Sequence, residues 1–458
     1  MWTLGFCLAL GLMWQWGTRA GVHNDFTQNV WLPARLVLNG ANPFSPTTSE
    51  VGTALGTYSP VFTQFNVGPT YHTVYPMWLT LAMTPFGAMP LDLATAVWRA
   101  ANLLLLFWGI AALLRRFNPA FRSTTKIALT ALGVTLFLCV AYRESILTLF
   151  IGQFAIIEFG LLAAILVWLV SSQHGDQKAV SSKQQAVDAH ILPTAFRLLP
   201  STIEGRTRLW GDALTGLALA VLATKPQALG LPIVLLCLWA VSRRRFVIPA
   251  SAGISFALLM TLPMLFYPNS ISEWLSVIFG KGQATSQAEV SASVWGLAYQ
   301  WLGADAPWRM VALALTIAGV TAILPWWWRD LRDKSSPIPM SLPLTLCMNS
   351  VISPYMLGYE HVLLLIPALL YIAAAGLPHD EVPTKEELAN QKRLRMAVYI
   401  WLSVLPMMIV ALQGVLYLEA PAIAQSASML AICWTVRFRW QEGRRTTDDG
   451  RRTIDDGR

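Results

Sequence analysis

Apolar stretches of roughly 16 to 22 residues recur along almost all of this 458-residue chain, each long enough for a helix to cross about 30 Å of hydrocarbon. Lipid offers no water to an exposed peptide group, so only helices and closed barrels can span it. Barrel strands would alternate apolar and polar residues, whereas these runs are continuous. The chain therefore reads as all-α, a polytopic transmembrane helical bundle. Its charge agrees, since only 13% of residues are charged, about half the share in a soluble domain.

Twelve crossings are expected, at about 2–17, 93–113, 126–142, 150–171, 210–224, 228–242, 246–267, 308–328, 340–353, 361–376, 397–414 and 419–436. Together they make residues 1–436 a single polytopic membrane domain. The start lacks the basic region of a signal peptide, and Thr18-Arg19-Ala20 is a poor cleavage site, so 2–17 reads as a retained helix. Residues 75–90 are apolar but short, bounded by Pro76 and Pro90 and broken by Pro85. They read as a juxtamembrane or half-inserted helix. Residues 18–74 and 268–307 form long outer loops, and Val30 to Leu38 in the first has the pattern of an amphipathic helix lying on the membrane. Residues 172–208 form a polar cytoplasmic insert that reads as disordered.

The net charge of +8 would suit a nucleic-acid binder, but its placement points to a membrane. Most basic residues fall between the crossings in clusters: Arg115, Arg116, Arg122 and Lys126; Lys178 to Arg208; Arg243 to Arg245; Arg329, Arg332 and Lys334; Lys385 to Arg395; and the arginines from Arg437 onward. With both termini inside, every cluster is cytoplasmic, as the positive-inside rule requires. The implied partners are anionic membrane lipids, not nucleic acid. The expected location is the plasma membrane. The tail 437–458 ends in a near-duplicate, Arg444 to Gly450 and then Arg451 to Gly457, and reads as a solvated low-complexity segment. The five cysteines stand singly in apolar runs without metal-ligand spacing, as small apolar side chains do.

This topology sends the unusual polar residues to the face opposite the basic clusters. Asp25 follows the first helix, a position where a carboxylate costs roughly 2.5–3.5 kcal/mol on insertion scales unless a cavity or partner receives it. Gly152-Gln153 opens a helix beside Arg143 and Glu144; Lys225-Pro226-Gln227 and Ser353-Pro354-Tyr355 with Glu360-His361 occupy outer junctions. A carboxylate can take a proton from an attacking hydroxyl, and a lysine with histidine or glutamine can hold charge on a departing phosphate. Each residue also has a plainer reading. Asp25 can be interfacial punctuation, Lys225 can snorkel from a helix end, His361 can cap a helix, and Gln153 can be structural. Arg99 either pairs within the bundle or reaches a phosphate, and Glu158 and Asp212 are interhelical bonding groups or site residues.

The succession Asp25-Phe26, Gly40-Ala41-Asn42-Pro43-Phe44, Tyr75-Pro76, Trp98 to Asn102, Gly152-Gln153, Lys225-Pro226-Gln227 with Arg243-Arg244-Arg245, and Ser353-Pro354 with His361 resembles glycosyltransferase family 87 over roughly residues 1–375. These are polytopic enzymes of the GT-C type, among them polyprenyl-phosphate-mannose-dependent mannosyltransferases. Met77 stands where the family usually has a second proline. The resemblance implies an inverting hexose transfer, with Asp25 as catalytic base and Lys225 and His361 at the donor phosphate. Arg99 and Gln153 join them there, and Tyr75, Gln227, Tyr355 and Glu360 are candidate substrate contacts. The co-substrate would be a lipid-linked sugar and the acceptor a lipid or glycan on the outer face, with no metal and no further cofactor. A secondary transporter or lipid flippase is the competing class. Against it, the sequence has no visible inverted repeat, and its charges gather at one outer level.

Overall fold

A computed structural model of the chain describes residues 26–56, 75–117, 123–142, 152–188, 199–279, 291–303, 306–333, 336–354 and 356–374, with isolated residues elsewhere and the short helical stretch 426–433. The described residues are helical, with no strand among them. A π-helical turn, Thr27–Trp31, runs into α1 (Leu32–Leu38), followed by α2 (Thr48–Leu55), α3 (Met77–Ala82), α4 (Thr84–Ala88) and the long α5 (Leu91–Phe117). Then come α6 (Thr124–Ala141), α7 (Ala155–Asp188), α8 (Leu199–Leu222), α9 (Pro226–Ser242) and α10 (Val247–Thr261), which tightens into a 3-10 turn, Leu262–Leu265. The remainder is α11 (Ser270–Phe279), α12 (Val294–Leu302), α13 (Trp308–Arg332), α14 (Leu342–Ile352), a 3-10 segment Gly358–Leu364 and α15 (Leu365–Ala374).

Four helices are long and apolar enough to cross a membrane: Leu91–Phe117, Ala155–Ser172, Val247–Leu265 and Trp308–Arg332. Four shorter apolar helices accompany them, so the described residues do not establish about twelve crossings. The expected helix at 2–17 lies outside the described residues, as do most of 397–414 and much of 419–436. Packing separates the long helices into two kinds. The apolar windows of α5 and α7 are 50% and 61% buried, whereas those of α10 and α13 are only 11% and 17% buried. The last two present Ile254, Leu258, Leu262, Leu265, Met310 and Ile317 outward. Apolar stripes of that extent are at home against lipid, not water.

Packing alters the expectations for residues 30–38, 172–208 and 268–307, and divides the short segment 75–90 in two. Residues 30–38 are helical, but α1 does not lie on a surface. Val30, Trp31, Leu32, Ala34 and Leu36 are all buried beneath α2, α3 and α4. Arg35 sends Nε to Ala54 O and Nη1 to Gly87 O, each at 3.0 Å, satisfying carbonyls that the ends of α2 and α4 leave open. Residues 75–90 break at Met83 into α3 and α4, of six and five residues. At about 1.5 Å per residue neither can cross the hydrocarbon. The polar insert 172–208 is largely helical backbone, since α7 continues to Asp188 and α8 begins at Leu199. Its alanine, glutamine and lysine residues favour carrying a helix beyond its apolar part. The stretch 268–307, expected as a long outer loop, likewise contains α11 and α12.

Chain direction alternates, so the bundle has two distinct ends. At one, Arg116 Nη2 donates to Val170 O (2.8 Å), Arg245 pairs with Asp212, and Arg243 reaches the carbonyls of Asp333 and Ser336. Asp330 there accepts from the backbone N–H and hydroxyl of Ser341. The described basic clusters therefore share one end. Trp98, Gln153, Lys225 and Glu360 lie at the other.

Candidate functional site

The far end is assembled around the turn that precedes α7. Gly152 has φ +78°, and a Cβ there would stand 2.4 Å from Cβ of Phe26, so glycine meets both the backbone and the space requirement. The helix starts at Ala155, not at 150, leaving Gly152 and Gln153 in the turn with both N–H groups bonded to Thr148 O. From α5, Trp98 Nε1 donates to Gly152 O (2.8 Å) and Arg99 Nε to Leu149 O (3.2 Å). Phe26, Phe86, Trp98, Phe154 and Tyr75 form one aromatic cluster beneath the turn, with centroid separations of 4.9–5.9 Å. Four of the motif fragments, around Phe26, Tyr75, Trp98 and Gly152, thus meet at one place.

Above the cluster, Gln153 Oε1 accepts from Tyr75 OH (3.2 Å) and from Lys225 Nζ (3.3 Å). Lys225 is the residue before α9, placed there by Pro226 in the first helical turn. Its Nζ stands 2.7 Å from Glu360 Oε1, both side chains being buried. Glu360 Oε2 accepts from Leu357 N–H (3.1 Å), fixing the carboxylate to the start of its 3-10 segment. Glu158, on the first turn of α7, is close enough for the charges of Lys225 and Glu360 to act on it. Its Oε2 has no hydrogen-bond partner among the described residues.

The other buried ion pair is different in kind. Asp212 takes Arg245 Nε (3.1 Å) on Oδ2, and Arg245 Nη2 with Trp168 Nε1 (3.4 Å) on Oδ1, while Arg245 Nη1 donates to Ser172 Oγ (3.0 Å). Both carboxylate oxygens are used, which makes this an interhelical tie and settles the plainer reading of Asp212. The Lys225 group instead pairs one ammonium with the Glu360 carboxylate, within electrostatic reach of Glu158, whose Oε2 has no hydrogen-bond partner among the described residues. Replacing a buried ion pair by apolar side chains is often neutral or stabilising by about 1–4 kcal/mol, so stability alone does not account for Lys225.

The expected residues separate accordingly. Tyr75, Gln153, Lys225 and Glu360 come together. Glu360 follows a turn of unhelical sequence and looked like a minor substrate contact; a fixed acidic partner for Lys225 is legible only in three dimensions. His361, its neighbour in sequence, faces elsewhere: Nε2 is 3.1 Å from Ser426 Oγ, and its carbonyl accepts from Tyr142 OH (3.0 Å). Arg99 lies under the turn on Leu149 O, and the Gln227 carbonyl accepts from Asn349 Nδ2 (2.9 Å). Asp25 and Tyr355 lie outside the described residues, though Phe26, next to Asp25 in the chain, packs against Gly152 and Trp98. The Gly40–Phe44 motif closes over the same end, with Asn42 Nδ2 donating to Glu273 Oε2 of α11 (2.8 Å). Sequence reasoning left Glu158 undecided, and the signal that could have singled it out is a lone carboxylate within an apolar span. Among the described residues no group of three or more His, Cys, Asp or Glu side chains is arranged to hold a metal ion.

Residues 73–354 match the family model described as glycosyltransferase family 87. The match takes in more than half of the chain, and contains Tyr75, Arg99, Gln153, Lys225 and Gln227. No curated protein matches the chain, and no solved structure does.

Proposed function

The chain belongs to glycosyltransferase family 87, and from that we propose that this membrane glycosyltransferase moves a hexose, mannose first among the candidates, from a polyprenyl-phosphate donor to a lipid or glycan acceptor by a single inverting displacement. One observation carries the reading. A buried lysine, held by Gln153 and Glu360 with Glu158 nearby, occupies the end of the bundle away from the arginine clusters. By the positive-inside rule that end is extracytoplasmic, where a lipid-linked sugar serves as donor without a nucleotide.

Asp25 takes the proton of the acceptor hydroxyl as its oxygen bonds to the anomeric carbon. The bond from that carbon to the phosphate oxygen breaks, and its electron pair stays with the polyprenyl phosphate. Lys225 stabilises the charge that appears there, an interaction that grows toward the transition state and is strongest where water is excluded. Gln153 orients the ammonium through its carbonyl, and Tyr75 orients Gln153.

Purified protein in vesicles, given radiolabelled polyprenyl-phosphate-mannose and membrane acceptor lipids, tests this directly. Asp25→Asn is expected to abolish transfer while retaining the fold and donor binding. Lys225→Ala is expected to lower both donor affinity and turnover. Transfer by Asp25→Asn at the wild-type rate would remove Asp25 as base, and failure of the wild-type protein with this donor, alongside success with another lipid-phosphate sugar, would replace the mannose assignment.

A further inference from the structure

Helix α9, which Lys225 introduces, contains a proline in its second turn. Pro232 lacks the N–H that would bond to Ala228 O four residues earlier. The vacancy is filled from another helix. Asn349 of α14 is buried, and its Nδ2 donates to Ala228 O (2.8 Å) and Gln227 O (2.9 Å) while its Oδ1 accepts from Leu231 N–H (3.1 Å). The chemistry dictates this amide orientation, because a backbone N–H needs an acceptor and two carbonyls need donors. Asn349 therefore makes three bonds to one turn of α9.

That turn begins two residues after Lys225. Asn349 lies near the exit of α14, which ends at Ile352 and leads into the segment carrying Glu360. The segment is itself tied down, as Ala292 N–H (2.6 Å) and Ser291 Oγ (3.3 Å) both donate to Met356 O. The two helices that Asn349 joins are thus those whose outer ends present Lys225 and Glu360. A hydrophobic residue at 349 would pack α14 against α9 without fixing their relative register along the axis. A carboxamide bonded to three named backbone groups fixes it.

We propose that Asn349 is a positioning residue, which uses the hydrogen-bonding gap at Pro232 to set the height of Lys225 against Glu360 and so prepare the ammonium for a lipid-linked phosphate. The functional part rests on the reading of Lys225 given above; the geometric part does not.

The full-length chain carrying Asn349→Ala, alone and with Pro232→Ala, separates this role from simple support of α9. Alanine at 232 restores the missing N–H, so the double variant is expected to recover the thermal stability lost in Asn349→Ala. It is not expected to recover donor use: with polyprenyl-phosphate-mannose its KM should remain raised by roughly tenfold, the loss expected when about one net hydrogen bond's contribution to placement is gone. In parallel, a Lys225→Cys/Glu360→Cys pair, in a chain whose native cysteines are replaced, is bridged by a short bifunctional thiol reagent. Bridging should be efficient with Asn349 and poor in the double variant. Recovery of stability, donor KM and bridging together would overturn the positioning role. Failure to recover stability would overturn Asn349 as the substitute for the Pro232 N–H. If Lys225→Ala leaves donor KM unchanged, the reading of Lys225 falls, while the bridging experiment still decides the role of Asn349.

Discussion

Gly152 carries two constraints that no other residue type meets at once, a left-handed φ and the near contact of Phe26. Gly152→Ala is expected to destabilise the protein by about 2–4 kcal/mol, from backbone strain together with overpacking. Thermal unfolding in detergent measures the loss. Transfer should fall too, because the Gly152 carbonyl receives Trp98 and the next residue is the Lys225 ligand Gln153. The sequence marked Gly152, Gln153 and Lys225 as unusual, since polar and flexible residues interrupting apolar runs demand a reason. It set His361 beside Lys225 at the donor phosphate and gave Glu360 only as a substrate contact. Adjacent residues on a 3-10 segment point in different directions, and only packing shows that the carboxylate turns to Lys225 while the imidazole turns to Ser426.

Helices show the same division between pattern and packing. The periodicity of residues 30–38 correctly signals a helix, but periodicity does not say what covers the apolar face. Here protein covers it, and Arg35 caps two neighbouring helices. Arg245 was likewise one of three basic residues in a cluster, indistinguishable in sequence from Arg243 and Arg244. The fold buries it with Asp212, tying α8 to the segment between α9 and α10. Arg245→Ala should destabilise by about 3–5 kcal/mol, because it strands a buried carboxylate. The double replacement Asp212→Leu/Arg245→Met should be markedly more stable than the single variant. Parallel melting curves of the two check both expectations, and equal losses would count against an interhelical tie.

For the whole molecule, the alternation of chain direction puts the described arginine clusters at one end and Lys225, Glu360 and the aromatic cluster at the other. Positive residues resist transfer across the membrane, so impermeant thiol reagents should label Arg244→Cys only from the cytoplasmic side and Trp301→Cys, beyond the α12–α13 contact and 76% exposed as tryptophan, only from the opposite side. Labelling of both from one side would break the proposed orientation. The sequence alone established a helical membrane protein with its basic residues gathered between crossings, because run length and charge are properties of the linear chain that lipid reads directly. It also carried the scattered fragments of the family pattern. The tertiary structure decided which charges form interhelical ties and which gather around Lys225, since that depends on contacts such as Lys225–Glu360 and Asn349–Ala228 between residues more than a hundred positions apart. No local spacing encodes such contacts; helix packing brings them about.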